Sequence, residues 1–204
     1  MKQVHLMSNE MKAVCVYCGA STGNDPIYAE VAQQFGRTLA RRGLRLVYGG
    51  GSVGLMGHVA NAALEAKGAV TGVIPERLWE REVGHKGLSE MFVVPTMHAR
   101  KARMVELSDA FVALPGGFGT LDELFEVLTW QQLGYHTKPV GLLNANGYYD
   151  ALLAFARHAH EQGFVRAVHL DALIVDTDID RLLDRLAAAQ PVQVDRWAKN
   201  SEAV

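Results

Sequence analysis

Leu114-Pro115-Gly116-Gly117-Phe118-Gly119-Thr120-Leu121-Asp122-Glu123 is the stretch on which the reading of this chain turns. It follows a short apolar run, Ala110 to Leu114, that reads as a buried strand, and it opens a helical pattern running to about Gly134. Pro115 has no N–H to give a ladder and stops the strand. Gly116, Gly117 and Gly119 let the backbone turn tightly and approach a ligand closely. Thr120 is placed to cap the following helix, with Glu123 three residues on as in a capping box. A helix start with free N–H groups behind a glycine turn is an anion site, most naturally for phosphate. A capped strand-to-helix turn without a ligand is the plainer reading, but it does not need three glycines.

Working outward, the same strand–glycine loop–helix grammar recurs. Ala13–Cys18 reads as the first strand and ends in a loop of small residues, Gly19-Ala20-Ser21-Thr22-Gly23-Asn24. Asp25-Pro26 then supplies a cap and a proline for a helix with Ile27, Val31, Phe35 and Leu39 on one face, stopping at Gly43. Leu44–Tyr48 is a second strand, followed by Gly49-Gly50-Gly51-Ser52-Val53-Gly54 and a helix from about Leu55 to Lys67. Ala69–Ile74 is a third strand, ended by Pro75. The connection from Glu76 to Glu90 is long and rich in charge, as functional or mobile connections are.

Met91–Val94 and Pro139–Leu143 are further strands, and Leu173–Val175 a last short one. Met97–Ser108 and Tyr148–Gln162 are helices, and a final helix starts at Asp178 or Asp180. Apolar strands alternating with helices are the pattern of a parallel sheet covered on both faces. The predicted fold is α/β: a Rossmann-like, doubly wound parallel sheet in a single domain, with ligands at the carboxyl ends of the strands. Residues 13–190 are expected to form that domain, between a flexible extension over 1–12, in which Met11 is a second candidate start, and a polar tail over 191–204.

The composition sets bounds. The chain has 204 residues, 49% of them apolar and 21% charged, and a formal charge of -2, which makes no electrostatic case for nucleic acid. No apolar stretch approaches the ~20 residues of a membrane span, and the first ten residues lack the apolar segment of a secretory signal. Cys15 and Cys18 form a C-x-x-C, but it lies within and at the end of a strand, where positions three apart face opposite ways. Two buried cysteines in a reducing cytoplasm fit better than a redox pair or a zinc site. The eight histidines show no metal spacing, and no metal or cofactor is expected.

Three features carry candidate chemistry. Gly49 to Gly54 formally satisfies G-x-G-x-x-G, yet no acid ends the next strand to hold a ribose, so a nicotinamide cofactor is disfavoured. Gly50 and Gly51 instead read as a second wall of one nucleotide pocket, with Ser21 a candidate contact in the first loop. In the helix from Met97, Arg100 lies inside the arc of Met97, Met104 and Leu107, where a buried charge needs a partner. That partner is a structural carboxylate, a substrate phosphate or a catalytic acid. Glu123 sits one turn into its helix and points away from an arc of Leu121, Leu124, Phe125 and Leu128 expected to face the sheet. Val127 and Trp130 then fall on the opposite arc, where a covering second copy, a two-fold homodimer, is expected.

Pro115-Gly116-Gly117-Phe118-Gly119-Thr120-x-x-Glu123, preceded by Met97-His98-Ala99-Arg100-Lys101, resembles the paired motifs P-G-G-x-G-T-x-x-E and M-H-x-R-K of the Lonely Guy family. These are cytokinin-activating phosphoribohydrolases, long mislabelled as lysine decarboxylases. Tyr48 to Gly57 and Leu128 to Gly134 are also similar to that family, and the resemblance spans about Ala13 to Ala189. It implies a homodimeric hydrolase acting on AMP or N6-substituted adenosine 5′-monophosphates, releasing base and ribose 5-phosphate. The catalytic pair it implies is Arg100 and Glu123. The implied nucleotide contacts are Glu82, Lys101, the loop Gly116, Gly117, Phe118, Gly119 and Thr120, and Thr129. A non-catalytic nucleotide or cofactor carrier of similar fold is the competing class, and a carrier has no need of an arginine–carboxylate pair.

Overall fold

The computed structural model describes residues 11–80 and 84–191; most of the expected N-terminal extension, Glu82 and all but the first residue of the polar tail lie outside the described residues. The apolar runs form β1 (Ala13–Tyr17), β2 (Arg45–Tyr48), β3 (Val70–Pro75), β4 (Glu90–Val94), β5 (Ala110–Ala113), β6 (Val140–Leu143) and β7 (Leu173–Asp176). All pair in parallel, in the order β4-β3-β2-β1-β5-β6-β7. Central β1 sets the register, with Val14 opposite Leu46 of β2 on one side and Ala110 of β5 on the other. The chain steps outward from β1 to β4, then returns to lay β5 on the other side of β1. That reversal opens a crevice at the carboxyl ends of β1 and β5, where ligands bind in open α/β sheets.

Alternation along β1 divides the core into two layers. Val14, Val16 and Cys18 pack with Phe35 and Leu39 of α1 (Ile27–Arg41), Val59 of α2 (Gly54–Glu65) and Leu182 of α8 (Ile179–Ala188). Ala13, Cys15 and Tyr17 face the other way, onto Met104 of α4 (Met97–Glu106) and Leu124 and Val127 of α5 (Phe118–Gln132). The two thiols therefore lie in opposite layers, both free and buried. Burial pushes both up, Cys15 to about 12. Among the described residues no helix is long and apolar enough to cross a membrane.

Helix boundaries differ from expectation where side chains capture backbone groups. The helix expected from Tyr148 begins instead as a 3-10 turn, Ala145–Gly147, and α6 covers Asp150–Glu161. Asn146 there adopts a left-handed φ of 50°, and the Tyr149 N–H donates to Asn144 Oδ1 rather than into a helix. The charged connection opens with the short α3 (Glu76–Trp79), and α7 (Ala167–Asp171) was not anticipated. At the far end, Asp178 caps α8 by accepting from the Arg181 N–H at 2.8 Å.

Candidate active site

The α5 helix begins earlier than the capping box requires. Its N-cap is Gly117, no side chain caps it, and Thr120 lies buried inside the first turn. The Thr120 hydroxyl fills the space that a Cβ on Gly116 would need, coming within 2.1 Å of it, so Gly116 and Thr120 form one close contact. Glu123 is consequently free of the cap and turns inward.

The inward face of α5 is Thr120, Glu123, Leu124, Val127 and Gln131. At about 100° per residue these five span one arc of about 100°. The expected face is thus rotated in part: Leu124 is buried and Leu121 and Leu128 pack half-buried against the core as expected, but Val127 is buried, Trp130 is half-buried, and Phe125 points to solvent. Two polar residues of α5 face inward onto polar partners. Gln131 Nε2 donates to Lys138 O at 3.0 Å, and Glu123 meets Arg100.

Arg100 reaches that meeting point from the first turn of α4, whose start Thr96 caps by accepting from the Ala99 N–H at 3.1 Å. Its Nη1 lies 3.1 Å from Glu123 Oε1, and its Nε donates to the Val73 carbonyl of β3 at 3.1 Å. Both residues are only 8% exposed. A Cβ on Gly49 would come within 1.9 Å of the guanidinium, so a glycine at the end of β2 is what admits the arginine. Of the three partners that spacing left open, the structure supplies a carboxylate. Burial pushes the Glu123 carboxyl above its ordinary range, while Arg100 pulls it back down; the net direction is upward.

This pair borders a cavity of about 640 Å³ at the switch point. Three loops wall it: Cys18 to Gly23 after β1, the glycine run after β2, and Pro115 to Thr120 after β5. They are tied together, since the Gly19 N–H donates to Pro115 O at 3.0 Å and the Met56 N–H to Gly19 O at 3.3 Å. Of the sequence candidates, Ser21, Gly51, Arg100, Gly116, Gly117, Gly119, Thr120 and Glu123 line it.

The others stand elsewhere. Gly50 turns at a positive φ of 75° beside the lining, and its carbonyl accepts from the His85 N–H. Lys101 is not in the lining: its Nζ is held 3.2 Å from Asp122 Oδ2 and 3.0 Å from Glu126 Oε1, so it ties α4 to α5. Phe118 is 92% exposed, and Thr129 is exposed on the same outward face of α5. Glu82 is outside the described residues. Sequence reading missed Tyr28 and Tyr148, which line the cavity with rings 5.4 Å apart, and the apolar wall of Val53, Met56, Ile74 and Leu78. Asn144-Ala145-Asn146-Gly147 is a turn signal that would have placed Tyr148 after it at a strand end; no comparable signal marks Tyr28.

A parallel sheet whose switch-point crevice is walled by glycine loops and bordered by a buried ion pair defines a Rossmann-like protein with its cavity where open α/β sheets bind ligands. Comparison with known proteins narrows this. A family described as "Possible lysine decarboxylase" matches residues 56–186. A cytokinin riboside 5′-monophosphate phosphoribohydrolase of Rhodococcoides fascians is 53% identical over 170 residues, covering 83% of this chain and 86% of that one. One from Arabidopsis thaliana is 44% identical over 197 residues, covering 97% and 86%. The chain belongs to this family, the Lonely Guy phosphoribohydrolases.

Solved structures share the fold more distantly. A molybdenum cofactor binding protein from Rippkaea orientalis aligns at a TM-score of 0.66 and 24% identity, over 88% of this chain and 98% of that one. The molybdenum cofactor carrier protein of Chlamydomonas reinhardtii aligns at 0.67 and 22%, over 88% and 99%. At such identity the likeness concerns the fold alone.

Proposed function

We propose that the protein hydrolyses the N-glycosidic bond of adenosine 5′-monophosphates, AMP or N6-substituted AMP of the cytokinin type, to free base and ribose 5-phosphate. The observation that carries this reading is the buried Arg100–Glu123 pair bordering the glycine-walled cavity. Cleavage of the C1′–N9 bond builds positive charge on the ribose, which a nearby carboxylate stabilises. Glu123 provides that charge and takes a proton from the water whose oxygen bonds C1′; the base leaves with the electron pair of the C1′–N9 bond and takes up a proton from solvent, to which Glu123 then returns its own. Arg100 orients Glu123 and keeps its ionised form accessible despite burial.

The 5′-phosphate rests on the N–H groups at the start of α5, with the helix dipole behind it. Gly117 and Gly119 support this placement. A Cβ at either meets no protein atom within 4 Å, and neither has a positive φ, so the fold itself does not require glycine there. Close approach of a ligand does. Holding the remote phosphate fixes the sugar for attack, and the apolar wall of Val53, Met56, Ile74 and Leu78 is suited to a base and its substituent. The chemistry calls for no organic cofactor. A decarboxylase would need a lysine amine at the site, whereas Lys101 of the motif is tied to Asp122 and Glu126.

The protein works, in this reading, as a cytoplasmic homodimer, with its two free thiols suited to reducing conditions. Phe118, Phe125 and Leu133 form an exposed apolar stripe on the outward face of α5, which a second copy would cover. Incubation with AMP and isopentenyl-AMP, followed by assay for free base, tests the activity. Release of base supports it; binding of both without release makes the protein a carrier.

A further inference from the structure

Three consecutive carbonyls of the loop between β5 and α5 are each held from outside it. Tyr149 Oη donates to Leu114 O at 2.6 Å, and Tyr148 Oη donates to Gly116 O at 2.6 Å. Between them, the Gly19 N–H donates to Pro115 O at 3.0 Å. The last peptide is the informative one. In a trans peptide the carbonyl and the following N–H point in opposite directions. A Gly116 carbonyl drawn toward Tyr148 therefore turns the Gly117 N–H away from it. Gly117 is the N-cap of α5, where backbone N–H groups have no intrahelical partner.

This peptide joins two glycines, so its rotation meets the least side-chain resistance of any in the loop. Flipped, it would present a carbonyl where an anion needs a donor. We propose that Tyr148 is a positioning residue for the phosphate: its hydroxyl locks the Gly116–Gly117 peptide so that the loop shows N–H groups to the ligand. The inference rests on reading the cavity as a nucleoside 5′-monophosphate site. The hydroxyl carries one proton, and Gly116 takes it, so Tyr148 acts on the phosphate through the loop rather than as a direct donor.

The ring is held independently of its hydroxyl. It packs edge-on against Tyr28 at 5.4 Å and against buried Tyr149 at 4.9 Å, and the Tyr149 N–H is anchored on Asn144 Oδ1 at 2.8 Å. Tyr148→Phe thus removes the clasp and leaves its support. Tyr149, whose hydroxyl is buried on Leu114 O, is the structural counterpart at the base of the loop.

The test is calorimetric titration of Tyr148→Phe and wild type with ribose 5-phosphate, AMP and adenosine, alongside thermal melting. Loss of one such hydrogen bond should weaken ribose 5-phosphate and AMP about tenfold. Adenosine affinity should stay within about twofold, and the melting temperature should hardly move, because the residue is partly exposed. In turnover, KM for AMP rises while kcat stays nearly constant. Unchanged affinity for ribose 5-phosphate overturns the proposal, as does an equal loss for adenosine with a lowered melting temperature, which marks a purely structural clasp. A wild type that binds AMP without releasing base sinks the hydrolase reading but leaves the binding comparison intact. A wild type that binds no ribose 5-phosphate overturns both.

Discussion

Replacing Gly119 by alanine should move stability and ligand affinity in opposite directions. Gly119 is the second residue of α5, its backbone is helical, and a Cβ built on it meets no protein atom within 4 Å. Alanine in a helix interior is favoured over glycine by roughly 0.8–1 kcal/mol, and about half of that should survive in a first turn. For a chain of this length such a gain raises the melting temperature by about 1–2 °C. The same methyl group projects into the space through which a phosphate would approach the N–H groups of the turn. Losing one charge-assisted hydrogen bond of about 1.5–3 kcal/mol weakens ribose 5-phosphate roughly ten- to a hundredfold. Differential scanning fluorimetry and calorimetric titration on the same preparation give both signs. Affinity equal to wild type would place the phosphate elsewhere, and a fall in melting temperature would make the glycine a requirement of the fold.

Other consequences follow from the ion pairs and the outward face of α5. Glu123→Gln should bind AMP but lower kcat at least about a hundredfold, and intact turnover with reduced stability would make Glu123 structural. Because burial holds the Glu123 carboxyl above its ordinary value, wild-type kcat should fall on the acid side at a pH above the usual carboxylate range near 4.3. The folded protein then binds that proton more tightly than the unfolded chain. This contribution to stability declines as pH rises through the interval between the two values, a slope that Glu123→Gln should remove in pH-dependent denaturation. Asp176, held far below the usual carboxylate range by hydrogen bonds first from Arg181 and also from Arg185, contributes stability above the ordinary Asp value that is lost as pH falls through its folded one. Asp176→Asn should cost about 2–4 kcal/mol in urea denaturation at neutral pH, and the difference from wild type should shrink in acid. Phe125→Glu should convert a dimer into a 22.3 kDa monomer in sedimentation, and a wild type that already sediments at that mass ends the dimer reading.

The sheet was legible because its evidence is local. Each strand is mainly an apolar run, all but β7 end at glycine, proline or an asparagine turn, and a parallel sheet buried on both faces needs nothing subtler. Cys15 and Cys18 sort into opposite layers by counting alone. The glycine loops were legible for the same reason, and the chain reversal that brings the loops after β1, β2 and β5 together follows from winding such a sheet in both directions. Spacing within α4 said that Arg100 was buried and therefore paired, but not with what. The answer needed three other elements: Val73 on β3, Gly49 after β2 and Glu123 on α5.

The face of α5 was misread for a reason that reaches the function. An apolar arc through Leu121, Leu124, Phe125 and Leu128 assigns the core side only if every inward residue is apolar. Here Thr120, Glu123 and Gln131 face inward: Thr120 fills the space left by the missing Cβ of Gly116, and the polar burial of the other two is compensated on Arg100 and on the Lys138 carbonyl. Their spacing, 120-123-124-127-131, is as good a helical stripe as the apolar one, rotated toward the cavity. That rotation sends Phe118 and Phe125 out to solvent and carries the carboxylate in. A helix that gives up two phenylalanines to water while burying a glutamate is shaped by what its inner face must do. The exposed stripe and the buried acid are two results of one orientation, and for that reason covering the stripe with a second copy should also stabilise the placement of Glu123.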